Sequence, residues 1–205
     1  MSVGKSALLE YWRNSGMVID KKVFSAFEKV PREDFVLPEY KYEAYLDEPL
    51  PIKHGQTISQ PTTVAIMTGA LEIKAGQKIL EIGSGSGYQA AILSVLADKS
   101  GKVFTIERVK NLAAFARKNL KDYKNVTVVL ADGTKGHAKE APFDRIIVTA
   151  SAANLPEQIF SQLKEAGIMV IPIEDHLFKI TKANGKPKMK DQGLFLFVPL
   201  IEGEV

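Results

Sequence analysis

Hydrophobic positions along the chain change rhythm near residue 72. Before that point, Leu8, Leu9 and Trp12, then Val23, Phe24 and Phe27, recur at three- and four-residue spacing, which predicts helix within residues 5–30. Pro31 and Pro38 bracket a loop. Residues 39–61 hold Pro49, Pro51, Gly55 and Pro61 and show little periodicity. They read as a long irregular connection, a kind of segment that often carries function inside a compact domain. A helix over 62–71 follows, with Pro61 at its first turn, where a missing N–H costs nothing. Beyond residue 72, short apolar runs predict strands at 79–82, 103–106, 126–130, 145–148 and 168–173, and helices at 89–96, 109–120 and 156–163. Strands alternating with helices of this length imply βαβ units, hence an α/β, doubly wound, mostly parallel sheet with helices on both faces. The tail differs. Residues 178–181 and 193–198 flank the turn Asn184-Gly185-Lys186-Pro187, which predicts a C-terminal antiparallel hairpin.

Composition narrows this picture without redirecting it. A length of 205 residues fits one domain, and 45% hydrophobic with 25% charged residues is ordinary for a globular protein. The balance of 27 basic against 24 acidic residues leaves +3, with lysines scattered, so no nucleic-acid partner is implied. The absence of cysteine removes disulfides, thiolate metal sites and cysteine nucleophiles together and is compatible with the cytoplasm. The first residues lack the apolar core of a signal peptide. The apolar stretches 168–173 and 194–201 are interrupted by Pro172 and Pro199 and are too short to span a bilayer, so no membrane partner is expected.

The chemistry concentrates where the first parallel strand ends. Ile79-Leu80-Glu81-Ile82 stops at Gly83, Gly85 and Gly87, and an Ala/Leu-rich helical pattern follows at once. Strand, glycine turn and helix let a backbone approach a nucleotide-like ligand closely, because a side chain would block the approach. Ligands of such sheets sit beyond the carboxyl ends of the strands, where Glu81, Glu107 and Asp132 fall. An acidic residue at the place of Glu107 accepts hydrogen bonds from ribose hydroxyls, and Asp132 can reach a base amine. Any one of these could be a solvated strand end; three behind a glycine loop favour a site. The spacing G-x-G-x-G is not that of dinucleotide enzymes, and a carboxylate-rich pocket suits a cation better than a pyrophosphate. S-adenosylmethionine, with a sulfonium, an amino group, a ribose and an adenine, meets that description.

Residues 81–87, Glu107 and Asp132-Gly133 resemble the successive motifs of class I S-adenosylmethionine-dependent methyltransferases. A second stretch, Gly55-Gln56-Thr57-Ile58-Ser59-Gln60-Pro61, resembles the signature preceding the cofactor domain in protein-L-isoaspartate (D-aspartate) O-methyltransferases. Residues 30–36, 45–52, 143–150 and 197–201 resemble further motifs of that family, in order, so the likeness covers nearly the whole chain. The chain departs from the family's pattern at Ala153, where a proline is usual, at Glu174, where a glycine is usual, and in a short stretch from 174 to 197. The resemblance implies a Rossmann-like methyltransferase sheet with an N-terminal helical extension. It divides the single domain into a helical and substrate-loop region over 1–71, a cofactor-binding core over 72–173 and a hairpin region over 174–205.

The reaction implied by the resemblance is methyl transfer to the free α-carboxylate of isoaspartyl residues in proteins and peptides. Such a carboxylate is already ionised at neutral pH, so no general base is needed. In the resembled family the serine matching Ser59 is the active-site residue, where it would orient the acceptor carboxylate without forming a covalent bond. A helix N-terminus just after it is a ready anion site, although a plain helix cap would use the same residues. Gln56, Thr57 and Ile58 would shape that substrate loop; Glu81, Gly83, Ser84, Gly85, Gly87, Glu107, Asp132 and Gly133 would hold the cofactor. His54 reads as an exposed loop histidine, and His137 and His176 lack a second ligand at metal spacing, so no metal is assigned. Trp12, Tyr42 and Tyr45 read as packing residues, and Tyr88 as either core or pocket edge. A monomer is expected. The cofactor loop alone leaves open a small-molecule or RNA acceptor, or a non-catalytic module that keeps the fold. RNA would favour a basic groove with stacking aromatics, and none clusters here.

Overall fold

The computed structural model describes residues 4–17 and 20–203. Two N-terminal helices, α1 (Lys5–Ser15) and α2 (Lys21–Lys29), bury Leu8, Leu9, Trp12, Val23, Phe24 and Phe27, the apolar positions that the spacing selects, together with Ala26. The Trp12 ring packs edge-on against Phe24 and Phe27, with centroids 6.2 and 5.0 Å away. A two-stranded antiparallel ribbon, β1 (Leu50–Pro51) and β2 (Thr57–Ile58), interrupts the irregular segment and leads into α3 (Pro61–Ala70).

The main sheet then assembles from β3 (Lys78–Ile82), α4 (Tyr88–Ala97), β4 (Lys102–Glu107), α5 (Lys110–Asn119), β5 (Val126–Leu130), β6 (Phe143–Val148), α6 (Glu157–Ser161), β7 (Leu163–Ile173), β8 (His176–Ala183) and β9 (Lys186–Leu194). Strand order is β5-β4-β3-β6-β7-β8-β9. The first five of these strands pair in parallel, and β8 and β9 add on antiparallel. Order reverses between β4 and β6 on either side of β3, so the carboxyl end of β3 is the switch point where open α/β sheets place their ligands.

Alternation along β3 sends Ile79 into the core beneath α1–α5 and Leu80 and Ile82 into a second core with Ile159 and Phe160 of α6. Both faces of the sheet are therefore covered, which is why its central strands read as mostly apolar runs. The expected last strand, 193–198, lies instead at Lys186–Leu194 and begins inside the expected turn 184–187. The reason is the turn. Asn184 and Gly185 both take positive φ, +53° and +74°, and Ala183 pairs with Lys186, so a two-residue loop fixes the register and starts the strand at once. Lys186, Lys188 and Lys190 are exposed along this edge strand, and lysines there discourage pairing with another chain.

Candidate active site

A cavity of about 400 Å³ opens at the carboxyl ends of β3 and β4, within the size range of small-molecule sites. Its walls bring together Gln56, Thr57, Ile58 and Ser59 from the first third of the chain and Glu81, Gly83, Ser84, Gly85, Glu107 and Gly133 from the sheet. Two residues expected to hold the cofactor, Gly87 and Asp132, do not line it.

The glycine turn is shaped by local demands. Gly83 has φ +96°, and a Cβ there would lie 2.4 Å from Thr149 Oγ1. That hydroxyl is 3.0 Å from the Ile82 and Gly83 carbonyls and ties the end of β6 to the turn. The Gly83 and Ser84 amides donate to the Ile106 carbonyl at 2.9 and 3.1 Å. Gly87 has φ +89° and a packing role. A Cβ there would meet Leu120 Cδ1 at 2.8 Å, so this glycine lets α4 start against α5.

The three acidic residues have separate fates. Glu107 is clamped, its Oε2 accepting from the Gly85 amide and its Oε1 from the Val109 amide, each at 3.0 Å. It holds the glycine loop in place while facing the cavity. Asp132 is used internally. Its Oδ1 accepts from the Thr134 amide and hydroxyl at 2.9 and 2.7 Å, and its Oδ2 accepts from the Gly203 amide at 3.0 Å. Burial alone would raise its pKa; these hydrogen bonds and Lys135 outweigh that and hold it below the ordinary value. Glu81 is the free one. Its side chain is fully buried, and both oxygens lack hydrogen-bond partners among the described residues. Burial pushes its carboxyl up to about 8, Glu107 adds to the rise, and the nearby Thr105 hydroxyl opposes it. That hydroxyl also lies 2.6 Å from Ser84 Oγ.

On the opposite wall, Ser59 is half-buried and is not a helix cap, since Gln60 holds that position and its side chain makes no capping bond. The first two positions of the helix offer no free donor to an outside anion. Pro61 has no N–H, and the Thr62 amide donates to Asp47 Oδ1 at 2.9 Å. His54 is exposed and lies outside the cavity lining.

Sequence reasoning missed the tail. Val198, Pro199, Leu200 and Ile201 close one side of the cavity, held by the Ser151 amide donating to the Val198 carbonyl at 2.8 Å and the Leu200 amide donating to the Ser151 carbonyl at 2.7 Å. Arg108 Nε donates to the Gly203 carbonyl at 2.8 Å, beside the Gly203–Asp132 contact. Residues 197–201 resemble a family motif, but a Val-Pro-Leu-Ile run carries no chemical signal, so only the fold reveals its place at the cavity. Tyr88 serves both of its expected roles, lining the cavity while packing edge-on against Phe27 and Phe35. No group of His, Asp, Glu or Cys able to hold a metal ion exists among the described residues.

A switch-point cavity, a glycine turn, an acid clamped at the next strand end and a sheet finished by an antiparallel pair define the class I, Rossmann-like methyltransferases. The comparisons with known proteins agree and go further. The family model for protein-L-isoaspartate(D-aspartate) O-methyltransferase matches residues 3–205, and the chain belongs to that family. A protein-L-isoaspartate O-methyltransferase of Methanosarcina mazei is 52% identical over 193 residues, covering 91% of this chain and 79% of that one. One from Ignicoccus hospitalis is 47% identical, covering all of both chains. Among solved structures, a Plasmodium falciparum chain assigned as protein-L-isoaspartate O-methyltransferase, in complex with S-adenosyl-L-homocysteine, superposes with a TM-score of 0.84 at 32% identity, over 96% of this chain and 97% of that one.

Proposed function

We propose that this chain repairs aged proteins by transferring the methyl group of S-adenosylmethionine to the free α-carboxylate of L-isoaspartyl or D-aspartyl residues. In this reading it works as a monomer in the cytoplasm. The observation that carries it is one cavity with the Gln56–Ser59 loop on one wall and the glycine turn of the sheet on the other. When bound, S-adenosylmethionine supplies an electrophilic methyl on a sulfonium.

The residues present fit that group. Glu81 is a buried carboxylate without a partner among the described residues, which suits a cationic ligand. Gly83 and Gly85 leave the strand end bare for close approach, and Glu107, anchored by two backbone amides, keeps lone pairs that can accept from hydroxyls. Ser59 offers a hydroxyl not consumed by capping, able to donate to the acceptor carboxylate. Among the described residues, no histidine or lysine lines the cavity, and none is required as a base, because the acceptor is already an anion. The rate enhancement then comes from aligning the carboxylate oxygen and excluding water; orientation of this kind is worth roughly 7–11 kcal/mol in favourable cases.

The test is methyl incorporation into an isoaspartyl peptide beside its normal aspartyl twin. Strong labelling of the first with background labelling of the second is expected. Equal labelling of both, or none, contradicts the reading.

A further inference from the structure

Ser59 stands between two anchors, and both come from one short segment. On its N-terminal side, Leu50 and Pro51 pair with Ile58 and Thr57, and the Ile52 amide donates to the Gln56 carbonyl at 2.8 Å. On its C-terminal side, Asp47 grips Thr62, its Oδ1 accepting from the amide at 2.9 Å and its Oδ2 from the hydroxyl at 2.5 Å. The Thr62 hydroxyl is itself fixed in direction. It accepts from Trp12 Nε1 at 2.7 Å, so its one proton is left for Asp47. Trp12 is fully buried and Thr62 nearly so, which leaves little water to substitute for either bond.

We propose that Asp47 is a positioning residue for methyl transfer, setting Ser59 against the cavity through Thr62, with Trp12 locking the Thr62 hydroxyl. The proposal rests on the reading that Ser59 orients the acceptor carboxylate. Thr62 lies three positions after Ser59, and of the two residues between, the Gln60 side chain makes no capping bond and Pro61 has no N–H, so the first amide that can fix this end of the helix is that of Thr62. A turn of helix held at its first amide and first hydroxyl sets where the preceding residue points. An ordinary exposed cap would need only the amide bond. Here the second bond, and the indole that orients it, tie the N-terminal helix α1 to the catalytic loop.

The charge on Asp47 has a further consequence. It occupies the positive end of α3, so an acceptor carboxylate finds no free donor at Pro61 or Thr62. Asp47 also helps to stabilise the buried Arg32 cation, whose Nε donates to the Ala44 carbonyl at 2.7 Å. Removing Asp47 would therefore disturb more than the Ser59 loop, so Thr62 and Trp12 are the cleaner places to probe.

The experiment compares Thr62→Val, Thr62→Ser and Trp12→Phe with the wild-type enzyme. It reads kcat and KM for an isoaspartyl peptide, with kcat normalised to the fraction of enzyme that binds S-adenosylhomocysteine, and the Kd of that ligand. Wild-type labelling in the same assay reports on the function reading separately. Thr62→Val, which keeps shape but not the hydroxyl, is expected to lower normalised kcat by about 10- to 100-fold, in line with the cost of small misplacements of reacting groups, with the ligand Kd unchanged. Thr62→Ser restores most of the rate. Trp12→Phe lowers it in the same direction by less, and stands in for Thr62→Val if that variant does not fold. Wild-type normalised kcat in Thr62→Val or its stand-in, or a Kd that worsens in step with kcat, overturns the proposal.

Discussion

The two walls of the cavity are built by different means. The sheet wall, from Glu81 to Glu107, hangs on parallel strands buried on both faces, and its turn is fixed by backbone amides donating to the Ile106 carbonyl and to Glu107. The opposite wall, Gln56 to Ser59 with the tail at 198–201, contains almost no regular structure. It is held by side chains and isolated bridges: Asp47 to Thr62, Ser151 to the tail, Asp132 and Arg108 to Gly203. A fold-determined wall suits a ligand common to many enzymes. A wall of clamped loops can be rebuilt without touching the sheet, which suits it to the acceptor side assigned to it in the proposed function.

Breaking the sheet wall has the largest expected effect. Gly83→Ala places a methyl at 2.4 Å from Thr149 Oγ1 on a backbone with φ +96°. Strain of this kind costs about 1–3 kcal/mol, and thermal unfolding should register it. S-adenosylhomocysteine binding, followed by calorimetry, is expected to be lost, because the turn must move to relieve the contact.

Glu81 sharpens the contrast through pH. Its carboxyl, pushed up to about 8 by burial, holds a proton in the folded protein that the unfolded chain, with the ordinary glutamate value of 4.5, has already released. Because the folded state binds more protons in that window, stability falls as pH rises from about 4.5 to about 8. Glu81→Gln should flatten that slope in denaturation series. A cationic ligand in the cavity favours the ionised form, so binding at pH 7 is expected to release up to about one proton in the wild-type enzyme and none in Glu81→Gln, read from calorimetry in buffers of differing ionisation enthalpy.

The loop wall should break more gently. Asp132→Asn weakens the charge-assisted bond to the Gly203 amide, with an expected loss of about 1 kcal/mol and faster proteolytic clipping of the tail. The depressed pKa of Asp132 gives the sign of the pH effect: its stabilisation is present above the unfolded value and is lost as pH falls through the folded one. The smallest effect belongs to the outer edge. Lys188→Thr on the exposed strand β9 should change stability by less than about 0.5 kcal/mol and leave methyl transfer intact, while raising the tendency to aggregate, as light scattering would show.

The same contrast explains what could be read from the sequence. Buried strands such as β3 and β4 announce themselves, because burial on both faces demands mostly apolar runs. The glycine turn follows from backbone constraints that few other residues satisfy. Strand β9 was hidden because an edge strand exposed along its length carries Lys, Asp and Gln instead of a hydrophobic period, and only the positive-φ pair Asn184-Gly185 fixed where it begins. Ser59 was legible through a motif, but its support was not. Asp47 and Thr62 are 15 residues apart and Trp12 lies 50 before Thr62, and no local pattern links positions that meet only after folding. Asp132 looked free at a strand end, and only the folded tail reveals that its carboxylate is engaged.

The division of labour between the walls is tested most directly by Ser59→Ala, with methyl transfer to an isoaspartyl peptide and S-adenosylhomocysteine affinity measured on the same preparation. Loss of about 100-fold or more in kcat with an unchanged Kd is the predicted result. Unchanged turnover, or a loss of affinity that matches the loss of rate, would contradict it.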